Sequence, residues 1–188
     1  VGTMIIIVTG MPGSGKSKIV WEFARRGIPH VSMGDVVREE AERRGIPKTK
    51  EGMAKVSIRL RQELGQNAVA KLTVPKVREL LEKHRVVIID GVRSLDEIGT
   101  FRSAFPDEEI VIVAVHTPPK QRFERLRERG RSDDPQSWED FEERDWKELK
   151  FGIGNVIAMA DYMIVNDGPK EEYEKKVKEL VERILAEH

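Results

Sequence analysis

Four short apolar runs, Met4 to Val8, Val86 to Ile89, Ile110 to Val115 and Tyr162 to Val165, are rich in isoleucine and valine and do not alternate with polar residues. Runs of this kind predict strands buried on both faces. Between them lie charged segments whose apolar positions recur at helical spacing. The clearest is Tyr173, Val177, Leu180, Val181, Ile184 and Leu185, which makes one stripe on a single helix. A fifth short strand is expected at Pro29 to Met33, after the Gly27 that closes the first helix. Strands alternating with helices predict an α/β fold, a five-stranded parallel sheet with helices on both faces.

From Gly34 to Lys83 the pattern is helical throughout. Met53, Val56, Leu60 and Leu64 fall on one face, and Val77, Leu80 and Leu81 follow beyond a break expected near Pro75. A second, arginine-rich segment, Pro118 to Lys150, interrupts the path into the last strand. One domain over 4–188 is therefore expected. Its core comprises 4–33, 84–117 and 151–188, with a helical insertion at 34–83 and an arginine-rich region at 118–150. Met4 itself starts the first apolar run, so Val1, Gly2 and Thr3 read as additions ahead of a natural start.

With 188 residues and 39% hydrophobic content the chain can bury one sizeable core. Thirty-three Lys and Arg balance thirty-three Asp and Glu. That neutrality, with 6% aromatic residues and no basic tail, argues against nucleic acid as a direct partner and implies no pull to a membrane surface. No cysteine is present, which excludes a disulfide framework, a thiol nucleophile and a thiolate metal site, and fits a reducing cytoplasm. His30, His84, His116 and His188 form no ligand pair at helical spacing. No apolar stretch approaches the ~20 residues needed to span a bilayer. A cytoplasmic protein without membrane contact is expected.

The chemistry begins at the first strand's end. Gly10-Met11-Pro12-Gly13-Ser14-Gly15-Lys16-Ser17 satisfies G-x-x-x-x-G-K-[ST], with an apolar strand before it and a helical segment beginning near Lys16. Glycine lets the backbone turn so that N–H groups point at phosphate oxygens, and the helix N-terminus adds its positive dipole end. The stretch from Gly10 to Lys18 thus predicts a cradle for ATP. Lys16 is placed to hold the β- and γ-phosphates, and the Ser17 hydroxyl to join the shell of Mg²⁺. Asp90 ends the strand Val86 to Ile89 at the sheet edge where ligands gather, and is the natural carboxylate partner for Mg²⁺.

These motifs make the chain resemble the P-loop kinases of small metabolites, above all adenylate kinase and its relatives, with a tail similar to dephospho-coenzyme A kinase. It is most similar to a group of archaeal adenylate-kinase-like proteins. Gly34-Asp35-Val36-Val37-Arg38 resembles the segment after the family's second strand, which implies that Arg38 grips the acceptor's phosphate beside Gly34. Asp90-Gly91-Val92-Arg93 resembles the strand-end signature in which the arginine, here Arg93, also holds that phosphate. Arg131-Ser132-Asp133-Asp134 with Arg144 resembles the lid exit of adenylate kinases, which implies that Arg131 and Arg144 bind the transferring phosphates. Ala160 to Gly168 resembles the last strand of dephospho-coenzyme A kinases, where the following loop flanks the adenine. The resemblance thus implies the fold of P-loop nucleoside triphosphate hydrolases, with 34–83 as an acceptor-binding insertion and 118–150 as a short lid.

Between Lys120 and Arg131 stand Arg122, Arg125, Arg127 and Arg129. At helical spacing Arg122, Arg125 and Arg129 share one face, which suits closure over a nucleotide, while Glu124 and Glu128 offer ordinary surface pairs. Asp35 has two readings, a base toward an acceptor hydroxyl or a cap on the following helix. The expected function is ATP- and Mg²⁺-dependent phosphoryl transfer to a nucleotide or similar small phosphorylated metabolite. Two alternatives stand beside it: hydroxyl phosphorylation of the dephospho-coenzyme A kinase kind, and an ATPase regulated by a protein partner.

Overall fold

The computed structural model describes residues 2–188, and its first strand, β1 (Met4–Gly10), is buried along its whole length. There follow α1 (Lys16–Arg25), β2 (His30–Ser32), α2 (Met33–Arg43), α3 (Lys50–Leu64), α4 (Ala68–Leu81), β3 (Val86–Asp90) and α5 (Leu95–Ala104). The second half contains β4 (Glu109–His116), α6 (Pro119–Arg129), α7 (Trp138–Phe151), α8 (Ile153–Ala158), β5 (Tyr162–Val165) and α9 (Lys170–Glu187). The strands form one sheet in the order β2-β3-β1-β4-β5, and every pairing is parallel.

Successive side chains of a strand turn to opposite faces, so the apolar runs serve two layers at once. Met4, Ile6 and Val8 pack with Ile19, Val20 and Phe23 of α1 and with Val177, Val181 and Ile184 of α9. Ile5 and Ile7 face the other way, toward Val77 of α4, Ile98 and Phe101 of α5 and Val156 of α8. Each fully buried isoleucine contributes about 1.5–3 kcal/mol. A third, smaller core, with Val37 and Ala41 of α2 against Val56 and Leu60 of α3, holds the helical segment together.

Three expectations need correction. Tyr162 to Val165 is an edge strand with one covered face: Ile164 is buried, whereas Met163 and Val165 are 47% and 43% exposed. Its run of apolar residues imitates a central strand because only the α9 side is covered. Pro75 does not break α4, which continues to Leu81. Pro75 and Lys71, whose carbonyl the proline leaves unbonded, are both exposed, so water can take that carbonyl. Leu64, expected on the buried face of α3, lies 40% exposed at the helix end before Gly65.

Candidate functional site

The helices that follow the neighbouring strands β1 and β3 lie in opposite layers, α1 on one face and α5 on the other. The loops leaving the two strands therefore diverge and open a crevice at the strand ends, the place where open α/β sheets bind ligands. The cleft there has a volume of about 1610 Å³. Its walls contain every site residue expected from the sequence except Asp35.

The glycine-rich loop forms the floor. Gly15 caps α1 at φ +97°, and a Cβ on Gly10 would stand 2.5 Å from Ser14 Oγ and 2.8 Å from Val115 Cγ1. Four successive carbonyls of the loop accept side-chain hydrogen bonds from distant elements. Arg122 donates to Pro12 at 3.2 Å, Arg125 to Gly13 at 3.4 Å, and Tyr173 to Gly15 at 2.7 Å. Ser14 receives two, from Thr117 Oγ1 at 3.1 Å and from Asn166 Nδ2 at 2.9 Å. In a trans peptide the N–H points opposite to the C=O. Tying the carbonyls on one side therefore turns the N–H groups of Gly13, Gly15 and Lys16 to the other, while that of Ser14 bonds the Met11 carbonyl at 3.1 Å.

Arg122 is buried and forms a two-pronged pair with Asp145 of α7, at 3.0 and 2.6 Å. Arg125 also donates to Thr117 Oγ1 and to the Asn166 carbonyl, both at 3.2 Å. The face shared by Arg122 and Arg125 thus braces the loop. Lys18 turns its ammonium outward, 3.3 Å from Glu174 and 5.0 Å from the Trp21 ring centroid.

Lys16 Nζ stands 2.9 Å from Asp90 Oδ1, a buried oxygen that has no hydrogen bond, and Ser14 Oγ is likewise buried and unpaired. Ser17 lies on the same wall. A buried carboxylate oxygen satisfied by charge alone, with hydroxyls on the wall of the same cleft, suits a hard cation or a charged phosphate complex. Ser17 and Asp90 fit Mg²⁺ in that sense. No three His, Cys, Asp or Glu side chains among the described residues surround a metal position, so phosphate oxygens and water would complete its shell.

Across the crevice, Gly34 and Arg38 stand in the first and second turns of α2. Gly91 lies against Met33, so the ends of β2 and β3 meet there. Ser32, not Asp35, occupies the N-cap of α2; Asp35 is its third residue and pairs with Arg38. Arg93 Nε is 3.4 Å from Glu148 of α7. Glu97, also on the wall, is pushed above the usual carboxylate range by burial, against hydrogen bonds from the Arg93 and Ser94 region.

Two guanidiniums, those of Arg129 and Arg144, meet on one carboxylate. Asp134 is fully buried in its side chain and accepts from Arg129 at 2.9 and 2.5 Å and from the backbone of Arg131 at 3.0 Å. Arg144 stands 3.7 Å away. Arg129 holds the Asp134 carboxyl down to about 2, against burial. Sequence reasoning missed Thr117, Asn166 and Tyr173 as loop supports. Tyr173 was hidden in the apolar stripe of α9, and Asn166 lay within a segment valued only for its resemblance.

Residues 9–142 match the family model described as an AAA domain. The chain is 83% identical over 185 residues to a UPF0200 protein of Thermococcus onnurineus (strain NA1), covering 98% of this chain and all of that protein. Among solved structures it is similar to shikimate kinase from Bacteroides thetaiotaomicron, with 21% identity, a TM-score of 0.60 and coverage of 97% of this chain and 98% of that one. Shikimate kinase from Acinetobacter baumannii in complex with shikimate aligns with a TM-score of 0.56 at 16% identity, over 98% and 94% of the two chains. At such identities the likeness to the two kinases establishes the fold. The five-stranded parallel sheet with helices on both faces is the P-loop kinase fold.

Proposed function

This chain belongs to the UPF0200 family, and we propose that it transfers the γ-phosphoryl group of ATP, with Mg²⁺, to a nucleotide or similar small phosphorylated metabolite. One observation carries the reading: a single crevice holds two cationic stations, Lys16 on the glycine-rich loop and Arg38 with Arg93 at the ends of β2 and β3. A nucleotide switch needs only the first. The P-loop kinase-like fold supports the same class of chemistry.

Phosphoryl transfer depends on positioning and on neutralising charge more than on covalent help. The N–H groups of Gly13, Gly15 and Lys16 bind phosphate oxygens, and Lys16 exchanges Asp90 for phosphate. Ser17 and Asp90 would hold Mg²⁺, which when bound neutralises phosphate charge and fixes the phosphates for in-line attack. Arg38 and Arg93 orient the acceptor. Arg129 and Arg144, gathered by Asp134, and Arg131, whose backbone N–H the same carboxylate holds, close the lid side and keep water from competing as acceptor.

Asp35 bears on the choice between acceptors. Its carboxylate lies off the cleft wall and is engaged by Arg38, which suits an acceptor that is already a phosphate and needs no base. An ATP-consumption assay with Mg²⁺ tests the proposal across nucleoside monophosphates, dephospho-coenzyme A and small phosphorylated metabolites, with Lys16→Ala as the blank. Strong stimulation by a phosphorylated acceptor is the expected result. Stimulation by dephospho-coenzyme A alone assigns hydroxyl transfer, and slow hydrolysis indifferent to every acceptor assigns a partner-regulated ATPase.

A further inference from the structure

On the α3 side of the cleft stands a guanidinium without an ion pair among the described residues. Met53, Ser57 and Arg61 recur every four residues along α3 and all line the cleft, while Val56 and Leu60 face the buried core. Arg61 has no carboxylate within ion-pair distance among the described residues. Its guanidinium carbon lies 5.2 Å from the ring centroid of Phe151, and that of Arg93 lies 5.4 Å from the same centroid. One aromatic ring thus gathers two guanidiniums, from the helical insertion and from the loop after β3.

The backbone that carries the ring is packed against the β3–α5 loop. Gly152, at φ +109°, ends α7 so close to the β3–α5 loop that a Cβ there would stand 3.3 Å from the Arg93 carbonyl. Glu97 lies within range of a charge interaction with Arg61, but its carboxylate is engaged elsewhere. It accepts from the Arg93 N–H at 2.8 Å, and its own N–H is capped by Ser94 Oγ at 3.2 Å. A planar fork of donors held on a ring beside a second one, open to the cleft, matches an oxyanion of phosphate type.

We propose that Arg61 and Arg93, gathered on the ring of Phe151, form the anion-binding end of the acceptor site and select acceptors that already bear a phosphate. Arg61 contacts the acceptor; Phe151 is a positioning residue that acts through the two arginines. The inference rests on the phosphotransferase reading above.

The test begins with the wild-type protein and the acceptor that stimulates it most among AMP, GMP, CMP and UMP, each run beside its nucleoside. Arg61→Gln is expected to raise the KM for that monophosphate at least tenfold and leave the KM for ATP within twofold. It is also expected to narrow the preference for monophosphate over nucleoside. Arg61→Lys keeps the charge but not the fork, so an intermediate loss is expected. Phe151→Leu is expected to raise the acceptor KM alone, with recovery in Phe151→Tyr, which keeps the ring. Unchanged acceptor KM in Arg61→Gln overturns this inference and leaves the kinase reading standing. A wild-type protein that no acceptor stimulates overturns the kinase reading, and this inference with it.

Discussion

Tyr173 Oη donates a 2.7 Å hydrogen bond to the carbonyl of Gly15, a residue 158 positions earlier in the chain. The same ring closes the space beside Gly15, where a Cβ would meet it at 3.0 Å. Burial pushes the phenol well above its ordinary range, so the hydroxyl stays a donor at any working pH. The helix α9, otherwise a piece of core, thereby reaches the glycine-rich loop.

Removing that hydroxyl tests whether the loop depends on its outer supports. Tyr173→Phe keeps the ring and loses one hydrogen bond, a net of about 0.5–1.5 kcal/mol. ATP affinity measured by calorimetry is expected to fall roughly 2- to 10-fold with the fold intact. Unaltered affinity would show that the cradle holds its shape without Tyr173.

Arg122 and Asp145 are the buried pair on which α6, α7 and the glycine-rich loop meet. Breaking such a pair strands a charge in the interior and costs about 3–5 kcal/mol. Arg122→Ala and Asp145→Ala are each expected to lower the thermal midpoint strongly. An apolar double replacement, Arg122→Met with Asp145→Leu, is expected to do less harm than either single change, because no charge is left unpaired. Additive losses in thermal melts would refute this.

The proposed function assigns Lys16 to the phosphoryl donor and Arg93 to the acceptor. Lys16→Ala is expected to abolish phosphoryl transfer, while Arg93→Ala raises the acceptor KM more than the ATP KM. Steady-state kinetics with both substrates varied decide it. Equal effects of Arg93→Ala on both substrates would count against the assignment.

Asp134 makes acid stability a test of how the segment between α6 and α7 is held. Its carboxyl is held at about 2 in the folded chain against an ordinary 3.8, chiefly by Arg129. A lowered folded value means that the stabilisation is present in full above the ordinary value and is lost as pH falls through about 2. Asp134→Asn is therefore expected to melt below the wild type near neutral pH, with the gap closing as pH falls from about 4 toward 2. A gap that is independent of pH would show that the carboxylate's charge contributes nothing.

Much of the fold was legible in short stretches. The isoleucine and valine runs from Met4, Val86 and Ile110 are central strands, and Lys16 begins the first helix as its motif requires. Residues 162–165 misled because composition records apolar side chains and says nothing about what covers them. Arg122 misled for the converse reason. Helical spacing put it on a face with Arg125, but whether that face meets solvent or the loop backbone depends on a partner, Asp145, that lies 23 residues on.

The sequence by itself determined the parallel α/β class, the glycine-rich loop with Lys16 and Ser17, and Asp90 at a strand end. Those features rest on period, backbone freedom and side-chain chemistry within a few residues of one another. Tertiary structure alone decided the strand order, the supports behind the four loop carbonyls, the convergence of Arg129 and Arg144 on Asp134, and the pairing of Arg61 with Arg93 on Phe151. Each of these joins groups from separate elements, and buried polar groups find such partners only after the layers have packed and excluded water.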